Sequence, residues 1–507
     1  NAVAIQAADT STEEPSGSGT AADPYQIGNA DQLMWFAAKV NGSTKTSTSN
    51  LCAKLTSDID LTGKEWTPIG CYNSNSDCVY YGGTFDGAGH TVSGLTINNA
   101  KQFGYVKGGT IQDLTVKGSV KTSTTSSSYA AGIVSYGNPV TVKNCINEAD
   151  VTVTGNGYAA GIIANTYGTG SKIDNCRNKG DISGKGGYLG GILGNAFGKT
   201  EITSSFNDGN ITSTAVSKSF PYCVGGIAGN AGNAAANSVI TRCGNTGNIT
   251  SPLKGTGGIV GRLAGTVENS YNLGKVTGVY ETGGIAGASS AANSQVNSCY
   301  NRGEIIGVAP NKTISDKTAK GIGGIVGNTT GVSCKVMVKN CYNTGEVYNE
   351  TGITNVVAGG IIGNSSGHDS KGNVSITNLA TATNCWYLDT TAAQGDGYNK
   401  NASGITAKTS KQIADGDIGD GWIMGPDGHP ILGWQDPNAS YKVTFSVKPE
   451  DAKIVVKDSS DQMMDPESDG TYRLKNGTYT YEVTADEYKT KTGSFTVAYS
   501  GQSISVS

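Results

Sequence analysis

Residues 321–347 read GIGGIVGNTTGVSCKVMVKNCYNTGEV. A glycine pair is followed by small and apolar residues at alternate positions, and the stretch ends in an Asn-Cys-Tyr-Asn-x-Gly-x-Val phrase. The module returns with variations from about residue 130 to 390, with the second glycine of the pair at Gly132, Gly161, Gly191, Gly226, Gly258, Gly284, Gly324 and Gly360. Intervals of 26 to 40 residues describe one structural unit that tolerates insertions.

The later phrase recurs as NCINEADV, NCRNKGDI, SSFNDGNI, RCGNTGNI, NSYNLGKV, SCYNRGEI and NCYNTGEV, with a degenerate last copy, NCWYLDT. From its second Asn (Asn147, Asn178, Asn207, Asn245, Asn272, Asn301, Asn343) to the next Val or Ile is always four residues. The gap from there to the next glycine pair varies from seven residues (Val276 to Gly283) to eighteen (Ile305 to Gly323). One invariant corner and two tolerant ones predict three short strands per coil, stacked in parallel on those of adjacent coils. The fold class is all-β, a right-handed parallel β-helix. Apolar residues at spacing two, as in Val336 and Val338, suit a strand with one buried face. Asn and Gly at the tight corner tolerate φ > 0.

These modules resemble the GLUG repeats of bacterial cell-surface and secreted proteins. Upstream, GSGTAADPYQIGNADQLMWFAAKVN, DIDLTGKEWTPIG, GGTFDGAGHTVSGLTI and FGYVKGGTIQDLTVKGSV resemble the segment that commonly precedes such repeats. The resemblance covers roughly residues 17 to 436. It implies a β-helix outside the cell, in an adhesin-like protein or a non-catalytic region of a larger secreted enzyme. It implies no reaction.

Residues 1–19 read as a disordered leader or a signal-peptide remnant. The β-helix is expected over 20–436, with a cap over 20–50 and a closing cap over 391–436. Within the first cap, 29–41 forms an amphipathic helix. Asn29 is its N-cap, Leu33, Met34, Phe36 and Ala37 its buried stripe, and Trp35 a lid contact. Residues 50–120 add the first coils, for about eleven in all. Trp422, Ile431, Leu432 and Trp434 are expected to close the far end. Residues 438–507 carry alternating runs such as YKVTFSV and TYRLKNGTYTYEVTA, and read as a small Ig-like or PEGA-like β-sandwich.

The chain has 507 residues, a net charge of −4 and a pI near 5.6. No basic stripe suits nucleic acid and no run of about 18 apolar residues suits a membrane span. The expected location is extracellular, secreted or cell-wall associated. Of eleven cysteines, Cys145, Cys176, Cys243, Cys299, Cys341 and Cys385 share one repeat position, where the other modules have Ser205 and Ser270. This predicts a ladder of buried thiols, with disulfides as the alternative; Cys71 and Cys78, flanking a loop, are the best disulfide candidates.

If the first Asn of the phrase sits in a left-handed kink, Cys points inward and the next residue outward. That outward column ends in Tyr271, Tyr300, Tyr342 and Trp386, a stripe able to stack on sugar rings or, alternatively, to shield the wall as an aromatic ladder. A second candidate surface is the variable loops 217–223, 308–320 and 348–358, with Phe220 and Tyr222 in the first. For catalysis there is no HExxH, no GxSxG and no phosphate loop. Glu304 and Glu346 fall on neighbouring coils, read either as a solvated face or as an acidic pair. No cofactor or metal is expected.

The reading is a surface protein whose β-helix presents loops and an aromatic stripe to glycans or host proteins. The alternatives are a polysaccharide-acting β-helix glycosidase or lyase, or a structural stalk.

Overall fold

A computed structural model describes residues 13–42, 47–74, 77–98, 104–122, 128–215, 222–233, 235–252, 254–309, 320–329, 333–353, 355–368, 374–419, 421–499 and 501–507. Two compact units divide at Thr409.

The first unit is a parallel β-helix. Its straightest wall stacks Tyr25–Ile27, Ala53–Leu55, Thr84–Asp86, Thr110–Gln112, Thr141–Lys143, Ser171–Asp174, Thr200–Thr203, Ala236–Thr241, Gly265–Glu268, Ser294–Asn297, Val336–Lys339 and Ala380–Thr383, each parallel to the next. A repeat coil holds five short strands where three were expected, because two of its three walls are broken. In the first repeat, Ser128–Ala131 and Val134–Gly137 are separated at Gly132, and Ile146–Asn147 and Asp150–Val153 at the tight corner.

The residue before the conserved Cys is in the left-handed region in every copy: Asn144, Asn175, Ser204, Arg242, Asn269, Ser298, Asn340 and Asn384 have φ between 47 and 54°. The kink turns the next side chain inward, so all six cysteines of this position lie in the apolar core. Each thiol donates to the carbonyl two residues before it, as from Cys243 Sγ to Thr241 O at 3.3 Å. Ser205 and Ser270 make the same bond at 2.8 Å, which is why the column accepts either residue. Burial pushes the Cys243 thiol up to about 12. The Cys71 side chain lies outside the described residues.

Two residues past each Cys, the second Asn also points inward. From Asn147 through Asn178, Asn207, Asn245, Asn272 and Asn301 to Asn343, each Nδ2 donates to the Oδ1 of the next coil at 2.7 to 2.8 Å. Each Nδ2 also bonds its own chain two residues on, as from Asn272 to Gly274 O at 2.8 Å. All seven side chains are buried and fully engaged in the ladder.

The capping helix spans Ala30–Asn41, with the Asn29 side chain accepting from Gln32 N at 2.9 Å. Its buried face is Leu33, Phe36, Ala37 and Val40. Met34 is only half buried, because the i, i+3, i+4, i+7 stripe continues to Val40 instead. Trp35 packs edge-on to Tyr25 with centroids 5.1 Å apart, the lid contact expected of it.

The second unit, Thr409–Ser507, has a three-stranded and a four-stranded sheet around Val443, Val456, Tyr472, Leu474 and Val497. The hairpin Trp422–Met424 with Pro430–Leu432 belongs to this unit, and Ile423 packs on its core. The expected end-cap residues therefore lie beyond the β-helix unit. The last coil instead runs to Ile405–Lys408, paired with Cys385–Leu388.

Candidate functional site

The bend at each glycine pair is re-entrant, so side chains pointing outward before and after it meet. Tyr129, before Gly132, and Tyr136, after it, have ring centroids 5.8 Å apart. The third glycine of the GGIVG run permits this close approach: a Cβ on Gly229 would come within 2.8 Å of the Leu189 backbone on the preceding coil.

In the N-terminal half, six tyrosines line the bend in unbroken contact. Their centroid separations are 6.1 Å for Tyr80–Tyr105, 4.7 Å for Tyr105–Tyr136, 5.8 Å for Tyr136–Tyr129, 5.4 Å for Tyr129–Tyr158 and 5.1 Å for Tyr158–Tyr188. Burial drives the Tyr136, Tyr158 and Tyr188 hydroxyls above their ordinary value, so they stay neutral in the physiological range.

On the same outward face, the next coils replace Tyr136 by Asn165, Asn195 and Asn230. Asn195 Nδ2 donates to Asn165 Oδ1 at 2.8 Å and Asn230 Nδ2 to Asn195 Oδ1 at 2.9 Å, a second amide ladder. Two positions on, where alternation returns side chains to this face, stand Tyr167 and Phe197. They stack at 5.7 Å and 24°. They are 49% and 57% exposed, more than any other large apolar side chain described in the β-helix. The register of the pairing carries the column from Phe197 to Gly232, which offers no side chain to cover the ring. Asn233 Nδ2 donates to Phe197 O at 2.7 Å and brings an amide beside it. The result is an apolar platform of two stacked rings with the Asn233 amide at its edge.

The sequence-selected stripe is differently built. Tyr271, Tyr300, Tyr342 and Trp386 do follow the inward cysteines, but their rings stack on one another at 5.3, 5.1 and 4.4 Å, within 11° of parallel. Tyr300 and Tyr342 are 1% and 0% exposed. Both faces of each of these two rings are taken by neighbouring rings, so the expectation of an exposed sugar platform there is corrected. The column is the wall-shielding ladder that was the alternative. Phe220 lies outside the described residues, and Tyr222 is buried at 5% exposure. Of the loops, 217–221 and 310–319 are likewise outside the described residues.

Glu304 pairs with Lys275 at 2.8 Å, and Glu346 accepts from the Tyr348 hydroxyl. These carboxylates sit along the outer face of the wall. Among the described residues no cluster of three or more His, Cys, Asp or Glu is placed to hold a metal ion. No helix of the described residues is long and apolar enough to cross a membrane.

The exposed pair was legible in principle. YAAG, YAAG and YLGG precede the first glycine pairs, and NTYG and NAFG follow the next two. This second aromatic column lies outside the Asn-Cys phrase.

No protein-family model matches the chain. A 221-residue stretch is 25% identical to halomucin of Haloquadratum walsbyi (strain DSM 16790 / HBSQ001), covering 37% of this chain and 2% of halomucin. The chain thus spans only a small fraction of that relative. A crystal structure of a candidate immunoglobulin A1 protease from Bacteroides ovatus is similar at 17% identity with a TM-score of 0.32, over 83% of this chain and 95% of that one. Likeness at that level gives no guide to activity.

Proposed function

We propose that this chain is the binding region of an extracellular surface protein, and that its β-helix presents the Tyr167–Phe197 platform to glycans. One observation carries the reading: two stacked, half-exposed rings on adjacent coils, the second followed in register by a glycine. Sugar rings present apolar C–H faces edged by hydroxyls, and the matching protein surface is an open aromatic ring beside amides. The half-buried Asn233 amide supplies the polar edge. A stacked β scaffold holds this geometry with little ordering cost on binding. The resemblance of the modules to GLUG repeats supports an extracellular setting, and the partial likeness to halomucin, a mucin by name, is in keeping with it.

A glycan array probed with the purified chain tests the reading. It expects retention of a restricted set of glycans by the wild type and loss of that set in Phe197→Ala. A protein that binds no glycan on a broad array would contradict it.

A further inference from the structure

The lid helix, the first coils and the first repeat enclose a cavity of about 100 Å³. Leu33 lines it from the helix, Leu95, Ile111 and Leu114 from the first coils, and Ala131 and Ile133 from the first repeat. Gly104 and Gly132 also border it and add no side chain, which leaves the space open. Of the lining residues, Trp66, Pro68, Ile69 and Ile133 are half buried and mark the rim. Trp66, Pro68 and Ile69 belong to 61–70, a stretch with neither helix nor strand, where the cost of local opening is low.

The walls are apolar apart from one anomaly. Among the described residues that line the cavity, only Trp66 and Tyr81 carry a polar side-chain atom. Tyr81 ends the strand Asp77–Tyr81, and its hydroxyl is buried with no hydrogen-bond partner. Its ring is held edge-on by Phe36 of the lid, with centroids 6.1 Å apart at 82°. Burial pushes the hydroxyl far above its ordinary value, so it keeps its proton and is a donor. Out of water an unmatched hydroxyl is costly, and an acceptor brought by a guest removes that cost. Water is a poor occupant, because a buried water takes roughly two to four polar partners, whereas an apolar cavity of about 150 Å³ stays dry and admits benzene.

We propose that this cavity is a binding site for a small apolar molecule, of about one ring's size, that carries a single carbonyl group, with the Tyr81 hydroxyl donating to the carbonyl oxygen. The apolar body of the guest replaces empty space against Leu95, Ile111 and Leu114, where each wall atom gains contacts it otherwise lacks. The site lies under the lid, on coils before the Tyr167–Phe197 platform, and the proposal does not rest on the glycan reading.

Cyclohexanone and methylenecyclohexane have nearly the same shape and differ in C=O against C=CH2, so the pair separates the hydrogen bond from the fit. Titrated into the full chain, both are expected to shift the δ1 methyl resonances of Ile69, Ile111 and Ile133 saturably. Those signals are assigned by their absence in Ile69→Val, Ile111→Val and Ile133→Val. Tyr81→Phe should weaken cyclohexanone about five- to tenfold and leave methylenecyclohexane unchanged. Absence of saturable shifts with either guest up to its solubility limit would overturn the site. An equal effect of Tyr81→Phe on both guests, or none on either, would overturn the assignment to a carbonyl.

Stability gives a second test that needs no guest. Tyr81→Phe keeps the ring against Phe36 and removes only the unmatched hydroxyl, so its urea midpoint is expected at or above that of wild type. A midpoint clearly below wild type would mean that the hydroxyl already has an acceptor, and the proposal would fall with it.

Discussion

Gly324 and Asn343, nineteen positions apart, share one space in the coil: a Cβ added to Gly324 would lie 2.5 Å from Asn343 Cγ. The same pairing joins Gly132 to Asn147, Gly161 to Asn178, Gly191 to Asn207, Gly226 to Asn245, Gly258 to Asn272 and Gly284 to Asn301. The two most regular marks of the repeat are therefore one device. The glycine clears room for the amide that continues the ladder. Gly324→Ala should destabilise the β-helix by about 2 kcal/mol or more, read as a lower urea midpoint. An unchanged midpoint would mean that both the Asn343 side chain and the Gly360 backbone, whose carbonyl oxygen a Cβ would meet at 2.0 Å, can move aside.

The ladder predicts a cost at its middle and at its end alike. Asn245→Leu strands a donor on Asn207, an acceptor on Asn272 and the Gly247 carbonyl. Asn147→Leu, at the ladder's end, strands the acceptor of Asn178 but also the N–H and carbonyl of Ala149. At roughly 1 to 3 kcal/mol for each unmatched buried group, both substitutions should cost several kcal/mol in urea unfolding, and the end of the ladder should be about as costly to break as its middle. A negligible loss in Asn245→Leu would argue against an amide chain continuous through Asn245.

The thiol column should behave as a set of small buried donors. Cys243→Ser should change stability by less than about 1 kcal/mol, because Ser205 and Ser270 already make the equivalent bond on the coils either side. Burial raises the Cys243 thiol from an ordinary 9.0 to about 12. Between these values the unfolded chain has released a proton that the folded chain keeps, so unfolding free energy falls as pH rises. Below 9.0 the contribution is complete. Denaturant titrations of wild type from pH 8 to 12 should show a loss that is smaller in Cys243→Ser. A thiol reagent that modifies Cys243 in the folded protein would contradict the burial.

The stack of Tyr271, Tyr300, Tyr342 and Trp386 is structural in this account. Tyr342→Ala removes a fully buried ring from between two others and should cost about 3 kcal/mol. Thermal melts will show this as a clear fall in midpoint. An unchanged midpoint would return the column to the surface.

Much of the fold could be read from residue spacing. The fixed four-residue step from Asn to Val or Ile gave the parallel β-helix, and the Asn before each Cys gave the left-handed kink. Spacing did not reveal that the glycine-bearing wall folds back on itself. That bend depends on contacts such as Gly229 against the Leu189 backbone, between residues forty positions apart. Without it, outward aromatics are equivalent, and the Tyr300 column looks as open as Tyr167 and Phe197. Burial separates them: a ring between two rings is covered, and a ring followed by Gly232 is not. The sequence also assigned 409–436 to the β-helix, although Ile423 packs on the core of the second unit.

The measurement that bears most directly on the central claim is the affinity of the best array glycan for three variants, Tyr167→Ala, Phe197→Ala and Tyr300→Ala, each at a temperature where it is folded. The account predicts a loss of at least about tenfold for the first two and wild-type affinity for the third. Affinity that survives in Phe197→Ala but falls in Tyr300→Ala would contradict it and place recognition on the stacked column.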